Sequence, residues 1–150
     1  MKKKLISASS GPLEDGLADY ERKDYVTAAK LMRVAADQGN SVAQYELGVM
    51  YDNGQGVTQD YKEAVKWYRL SADQGDADAQ INLGLMYVNG QGVIQDYVRA
   101  HMWWNISASS GHKNAQSNLN IVEKRMSQTQ IEKAQEMARR CQSSNYKNCD

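Results

Sequence analysis

Over residues 43–51 the apolar positions Ala43, Leu47, Met50 and Tyr51 fall at i, i+4, i+7 and i+8, the spacing that places side chains on one helical stripe. At 1.5 Å per residue they predict a helix, here helix A, of about 13 residues and about 20 Å. Ala64, Trp67, Tyr68, Ser71 and Ala72 repeat the spacing and predict helix B over residues 61–74, with Gly75 where a left-handed C-terminal cap is expected. No run alternates apolar and polar residues for long, and β-branched residues are sparse, so no strands are predicted.

The whole pattern then recurs. Laying residues 43–78 on 79–114 without a gap gives 19 identities in 36 positions, where ordinary composition gives about 2, so the chain carries an internal duplication. Between helices A and B stands "NGQGVTQDY" at 53–61 and "NGQGVIQDY" at 89–97. A phosphate-cradling loop needs a preceding strand and a Lys with Ser or Thr after its last Gly, and both are missing. The loops are therefore read as joints. Gly54 lies just past helix A, Gly56 permits a second turn, Val57 turns back between the helices, and Asp60 stands at the N-cap of helix B.

The combined pattern A-x3-LG-x2-Y-x2-G-x-GV-x2-D-x3-A-x2-W-x4-A-x2-G resembles the Sel-1-like repeat (SLR), a relative of the tetratricopeptide repeat with a longer inter-helix loop. Upstream, Asp24, Tyr25, Ala28, Ala36 and Gly39 align with Asp60, Tyr61, Ala64, Ala72 and Gly75 without the "GQGV" insertion. Downstream, Ala115 and Leu119 persist, Asn120 and Glu123 replace the Gly and the Tyr, and the loop is omitted. Thr129 and Glu132 then stand at capping-box spacing, and Glu132, Lys133, Glu136, Arg139 and Arg140 form a polar face of the kind a terminal repeat needs. The resemblance implies an all-α fold, an α/α superhelical solenoid of about four hairpins at 13–38, 41–74, 77–110 and 113–142, the last a C-terminal cap. Residues 1–12 are expected to be a disordered segment or tag and 143–150 a tail. Each hairpin is too small to bury its own apolar face, so neighbours stack. Trp67 and Trp103 are the largest expected core pieces. With no Phe, the nine Tyr and three Trp carry the aromatic packing, their polar ends able to reach water.

Charge narrows the function. Eighteen basic and eighteen acidic residues and a pI near 6.7 leave no single-sign field for nucleic acid, and no apolar run approaches the roughly 20 residues of a membrane span. "MKKKLISASSGP" opens like a secretory n-region but lacks the apolar h-region, so the chain is either cytoplasmic or its signal has been replaced. "ISASSG" recurs at 106–111. Cys141 and Cys149, with no other cysteine, either form a local staple adding about 2.5 kcal/mol or are free thiols in a frayed tail. A bridge implies an oxidising compartment, periplasmic or secreted.

Some cysteine-rich bacterial SLR proteins have been described as weak β-lactam hydrolases, and Ser110 and Lys113 satisfy S-x-x-K. Their setting is wrong, because Gly111 separates them in a turn, the preceding repeat has "QGDA" there, and the Cys pair per repeat is missing. No catalytic residue is assigned. His101 and His112 fall on different elements without ligand spacing and are read as a semi-exposed helical residue and a turn residue, so no metal or cofactor is expected. The stripe of helix A opposite Ala43, Leu47 and Tyr51 carries Tyr45, Val49, Asp52 and Asn53, and in the next repeat Ile81, Leu85, Val88 and Asn89. By similarity to the family these positions face a ligand peptide on a concave surface. The other reading makes Tyr45, Val49, Ile81 and Leu85 inter-repeat core. Asp52, Asn53 and Asn89 are expected to be exposed and able to bond a backbone, unless the two Asn are spent on capping. Trp104 is either an exposed aromatic or a filler against helix A of the fourth hairpin. The expected function is a non-enzymatic interaction module taking a protein or peptide segment of roughly 8 to 12 residues. Alternatives are a periplasmic hydrolase of β-lactams or peptidoglycan fragments, and a structural adaptor using the convex face.

Overall fold

A computed structural model describes residues 10–150. The expected disordered segment and the first "ISASSG" copy lie largely outside the described residues. Among these there is no strand, and eight helices follow in order: α1 (Pro12–Glu21), α2 (Tyr25–Asp37), α3 (Ser41–Asn53), α4 (Tyr61–Ala72), α5 (Ala77–Asn89), α6 (Tyr97–Ser109), α7 (Lys113–Glu123) and α8 (Gln128–Ser143). Odd-numbered helices are A helices and even-numbered ones B. Helices α3, α5 and α7 begin 36 residues apart, as do α2, α4 and α6.

Local chemistry sets these boundaries. Asn40 and Asp76 accept from the N–H of Ala43 and Ala79, while Asp24, Asp60 and Asp96 cap the B helices. Gly54 and Gly90 end α3 and α5 in the left-handed region, at φ 69° and 64°. Two expectations shift. Helix α4 already ends at Ala72 with right-handed Asp73 as its cap, so Gly75 lies out in the turn rather than at the cap. The capping box of α8 is Ser127 with Gln130, because Thr129 is already inside the first turn.

Stacking repeats with the sequence. Ala43, Ala79 and Ala115 are fully buried, with Leu47, Leu83 and Leu119 one turn further on. Gly48 lets the Tyr68 ring approach so closely that an added Cβ would stand 2.6 Å from it, and Gly84 does the same for Trp104 at 2.4 Å. The second loop glycine makes a backbone contact, since a Cβ on Gly56 would meet the Tyr25 carbonyl oxygen at 2.0 Å and one on Gly92 the Tyr61 oxygen at 2.4 Å. Buried Gln44 and Gln80 donate to the carbonyls of Ala36 and Ala72 at the end of the preceding B helix. Ser71 and Ser107 donate to Ser41 and Ala77 within their own hairpins. Val57 is partly buried against the cluster that holds Trp67.

Trp67 and Trp103 are core, as expected, and each lies under an arginine of the preceding B helix, Arg33 and Arg69. Their indole N–H groups are buried without a partner, so for these two the expectation that polar ends reach water fails.

Helix α8 packs on α6 rather than back on α7, unlike the pairs α1–α2, α3–α4 and α5–α6, so the hairpin expected over 113–142 does not close and both helices cap α6 instead. Cys141 and Cys149 are bridged, which sets aside the free-thiol alternative. The closed loop brings Tyr146 against Gly75, buries Cys149 in the central core, and places the Asp150 carboxylate on Arg69 through two hydrogen bonds of 3.1 and 3.3 Å.

Gly84→Ala is expected to lose about 1–2 kcal/mol, overpacking against Trp104 exceeding the gain in helix propensity of about 1 kcal/mol; urea unfolding followed by circular dichroism reads it. Reduction of the bridge is expected to lower stability by about 2.5 kcal/mol, seen as a lower urea midpoint with reductant than without.

Candidate functional site

The A-helix face is built from residues one repeat apart. Helices α3, α5 and α7, with the turn after α7, present three rows at the 36-residue offset: Val49, Leu85 and Ile121; Glu46, Asn82 and Asn118; and Asn53, Asn89 and Arg125. The first row is apolar and becomes more exposed along the array. Val49 is half-buried against the central core, whereas Leu85 is 47% and Ile121 62% exposed.

Between α5 and α7 these residues open an apolar slot of about 340 Å³. Leu85, Val88 and Asn89 form one wall, Asn118, Ile121, Val122 and Arg125 the other, and Tyr97 and Trp104 of α6 close it. Trp104 is only 4% exposed and its indole N–H donates to the Ile81 carbonyl at 2.9 Å. It is therefore the filler against α7, packed with Ala115, Leu119 and Val122, and not an exposed aromatic.

The structure divides the eight candidates rather than gathering them. Tyr45 and Val49 pack against the central core, and Ile81 against the cluster around Trp104, so all three share in inter-repeat packing. Asp52 is half-buried, contrary to expectation, because it accepts the Tyr68 hydroxyl at 3.0 Å. Asn53 and Asn89 are exposed and leave capping to the glycines that follow; the Asn89 amide reaches Gln91 at 3.4 Å. Leu85, Val88 and Asn89 alone of the eight meet in the slot. Sequence reasoning missed Ile121 and Arg125, although the offset that relates Val49 to Leu85 leads on to Ile121 and that from Asn89 to Arg125.

Electrostatics differ at the two ends. Around α3 and the start of α5, burial raises the Glu46 carboxyl above its usual range, with Asp76 and Asp78 adding to the shift. Burial likewise raises the Tyr45 phenol, followed by the charges of Asp78 and Glu46, against a hydrogen bond from Asn82 that lowers it. Tyr68 is pushed far up, first by burial and then by Asp52. The α7 end carries exposed Lys124 and Arg125 instead.

The other candidates serve the fold. His101 is buried, not semi-exposed, because α7 and α8 cover α6, and its Nε2 lies 2.7 Å from Glu123 Oε2. His112 stands at the N-cap position of α7 without a side-chain cap bond, and its Nε2 lies 2.8 Å from Asp78 Oδ1. Ser110 ends α6 and donates its hydroxyl to the Ser107 carbonyl, while Lys113 opens α7, so the S-x-x-K pair spans two elements. Among the described residues no cluster of three or more His, Cys, Asp or Glu could hold a metal, and no helix is long and apolar enough to cross a membrane.

Three consecutive segments, residues 11–40, 41–76 and 77–112, match the Sel1 repeat. The chain belongs to the Sel1 repeat family. Sel1 repeat proteins generally mediate protein–protein interaction and are typically scaffolds rather than catalysts. The described fold is similar to that of c5321, a protective antigen of uropathogenic Escherichia coli strains with an SLR fold, at 28% identity and a TM-score of 0.84 over 90% of this chain and 31% of that one. It is also similar to a Sel1 repeat protein from Oxalobacter formigenes, at 34% identity and a TM-score of 0.70, over 73% of this chain and 45% of that one. The chain thus spans less than half the length of either. No curated protein matches it.

Tyr68→Phe removes the hydroxyl that Asp52 accepts and is expected to cost about 0.5–1.5 kcal/mol, measured by thermal and urea unfolding. The same change leaves the ring over Gly48.

Proposed function

We propose that the chain is a non-enzymatic interaction module whose A-helix face takes a segment of a partner protein, anchored in the slot between α5 and α7. One observation supports this above the others: Leu85 and Ile121 stand exposed on opposite walls of an apolar slot floored by a fixed tryptophan. Isolated surface aliphatic side chains need no explanation, but two facing each other across a cleft form an anchor for an apolar side chain. The neighbouring amides of Asn89 and Asn118 can donate to and accept from a bound backbone. Ser110, already engaged with its own helix, gives the hydrolase reading no support.

A second reading, an adaptor using the B-helix surface, rests on exposed Val26, Val34 and Leu70. For the compartment, the Cys141–Cys149 bridge favours a periplasmic or secreted location over a cytoplasmic one. Both similar structures come from bacteria, which supports a bacterial origin, and the description of one as a protective antigen agrees with a place outside the cytoplasm.

Two paired variants separate the surfaces. Leu85→Lys/Ile121→Lys is expected to lose a partner captured by the wild type from cells of the source organism while keeping its helicity, and Val26→Lys/Leu70→Lys is expected to retain it. The opposite pattern would move the site to the B-helix surface. For the compartment, alkylation of intact cells before reduction is expected to leave both cysteines unlabelled, and labelling before reduction would place the protein in a reducing one.

A further inference from the structure

The three A helices, with the turn that follows α7, present the same positions with different charge. At one position the series runs Asp52, Val88, Lys124; at the next, Asn53, Asn89, Arg125; and at a third, Glu46, Asn82, Asn118. Each becomes more positive from α3 to α7. The neighbours reinforce the trend, because Asp76 and Asp78, the latter paired with His112, both act on the Glu46 carboxyl. Among the described residues neither Lys124 nor Arg125 is held in a salt bridge, and Arg125 makes a long 3.5 Å contact with the Tyr97 hydroxyl. A chain whose charges sum to zero therefore carries a negative and a positive end along one face.

We propose that the occupant of the A-helix face is a dipolar peptide segment, with basic side chains over α3, an apolar side chain in the slot between α5 and α7, and acidic side chains over Lys124 and Arg125. This rests on the reading of that face as the interaction surface and adds the chemistry of the partner. Complementary charge at both ends selects such a segment, while a uniformly charged one meets repulsion at one end in either direction. The basic and acidic groups therefore sit toward opposite ends of the segment, with the apolar anchor nearer the acidic end.

The test uses three synthetic peptides with one shared centre containing Leu. One has two Lys at one end and two Glu at the other, one has Lys at both ends, and one has Glu at both. Fluorescence anisotropy at low salt is expected to show the dipolar peptide binding about threefold to tenfold more tightly than either uniform one, a margin that shrinks with added salt. The exposed-site variant Lys124→Glu/Arg125→Glu, checked for helicity, makes both ends negative and is expected to shift the preference to the all-Lys peptide. Leu85→Lys is expected to weaken all three. Equal binding of the three peptides, abolished by Leu85→Lys, would overturn the dipolar partner and leave the A-helix face standing. Binding indifferent to Leu85→Lys would overturn both, and no binding of any peptide at millimolar concentration would overturn the dipolar partner.

Discussion

The array is held in register by a contact that no side chain can enter. The second glycine of each long loop lies directly on the backbone of the preceding B helix, Gly56 on Tyr25 and Gly92 on Tyr61. A loop so seated fixes where the next B helix starts, and the capping aspartates Asp60 and Asp96 then fix how it starts. Helix A is committed from its other end by buried Gln44 or Gln80, which holds the last turn of the preceding B helix. The second and third hairpins are thus each tied to their predecessor at both ends. This is why a unit with too little apolar surface of its own can be ordered inside a stack.

Once register is set, the A helices have two tasks and divide their residues between them. Tyr45, Val49 and Ile81 are partly drawn into packing between repeats, while Leu85 and Ile121 are left at the surface beside a fixed Trp104. Neither a pure groove nor a pure core describes the stripe. The difference arises from what the following helix offers. Tyr45 lies against the Tyr68 ring, 6.1 Å between centroids, whereas at the same position of α7 stands the small, polar and exposed Ser117.

The fold was legible because its determinants are local and repeated. The helical spacing of small and apolar residues, the aspartate caps and the glycine after helix A are visible within one 36-residue copy, and the copy is present twice. What was not legible depended on partners distant in sequence. The burial of His101 follows from α7 and α8 arriving over α6, and the half-burial of Asp52 from a hydroxyl sixteen residues away. The close approach at Gly56 was missed because a glycine between helices is ordinarily explained by its own turn. The walls of the slot were only half found, since the chain after α6 departs from the repeat where its loop is omitted, and α7 is hardest to align with the earlier A helices.

The bridged tail changes how the molecule can come apart. A stack of repeats ordinarily melts from either end, one unit at a time, because each unit touches only its neighbours. Here the loop closed by Cys141 and Cys149 reaches past α6 to Gly75 and Arg69, joining the last helix to the second hairpin. Helix α8 packs on α6 rather than on α7, so it cannot leave without also releasing the tail's contacts with the second hairpin, and that tie spans the repeats that carry the surface proposed for partner binding.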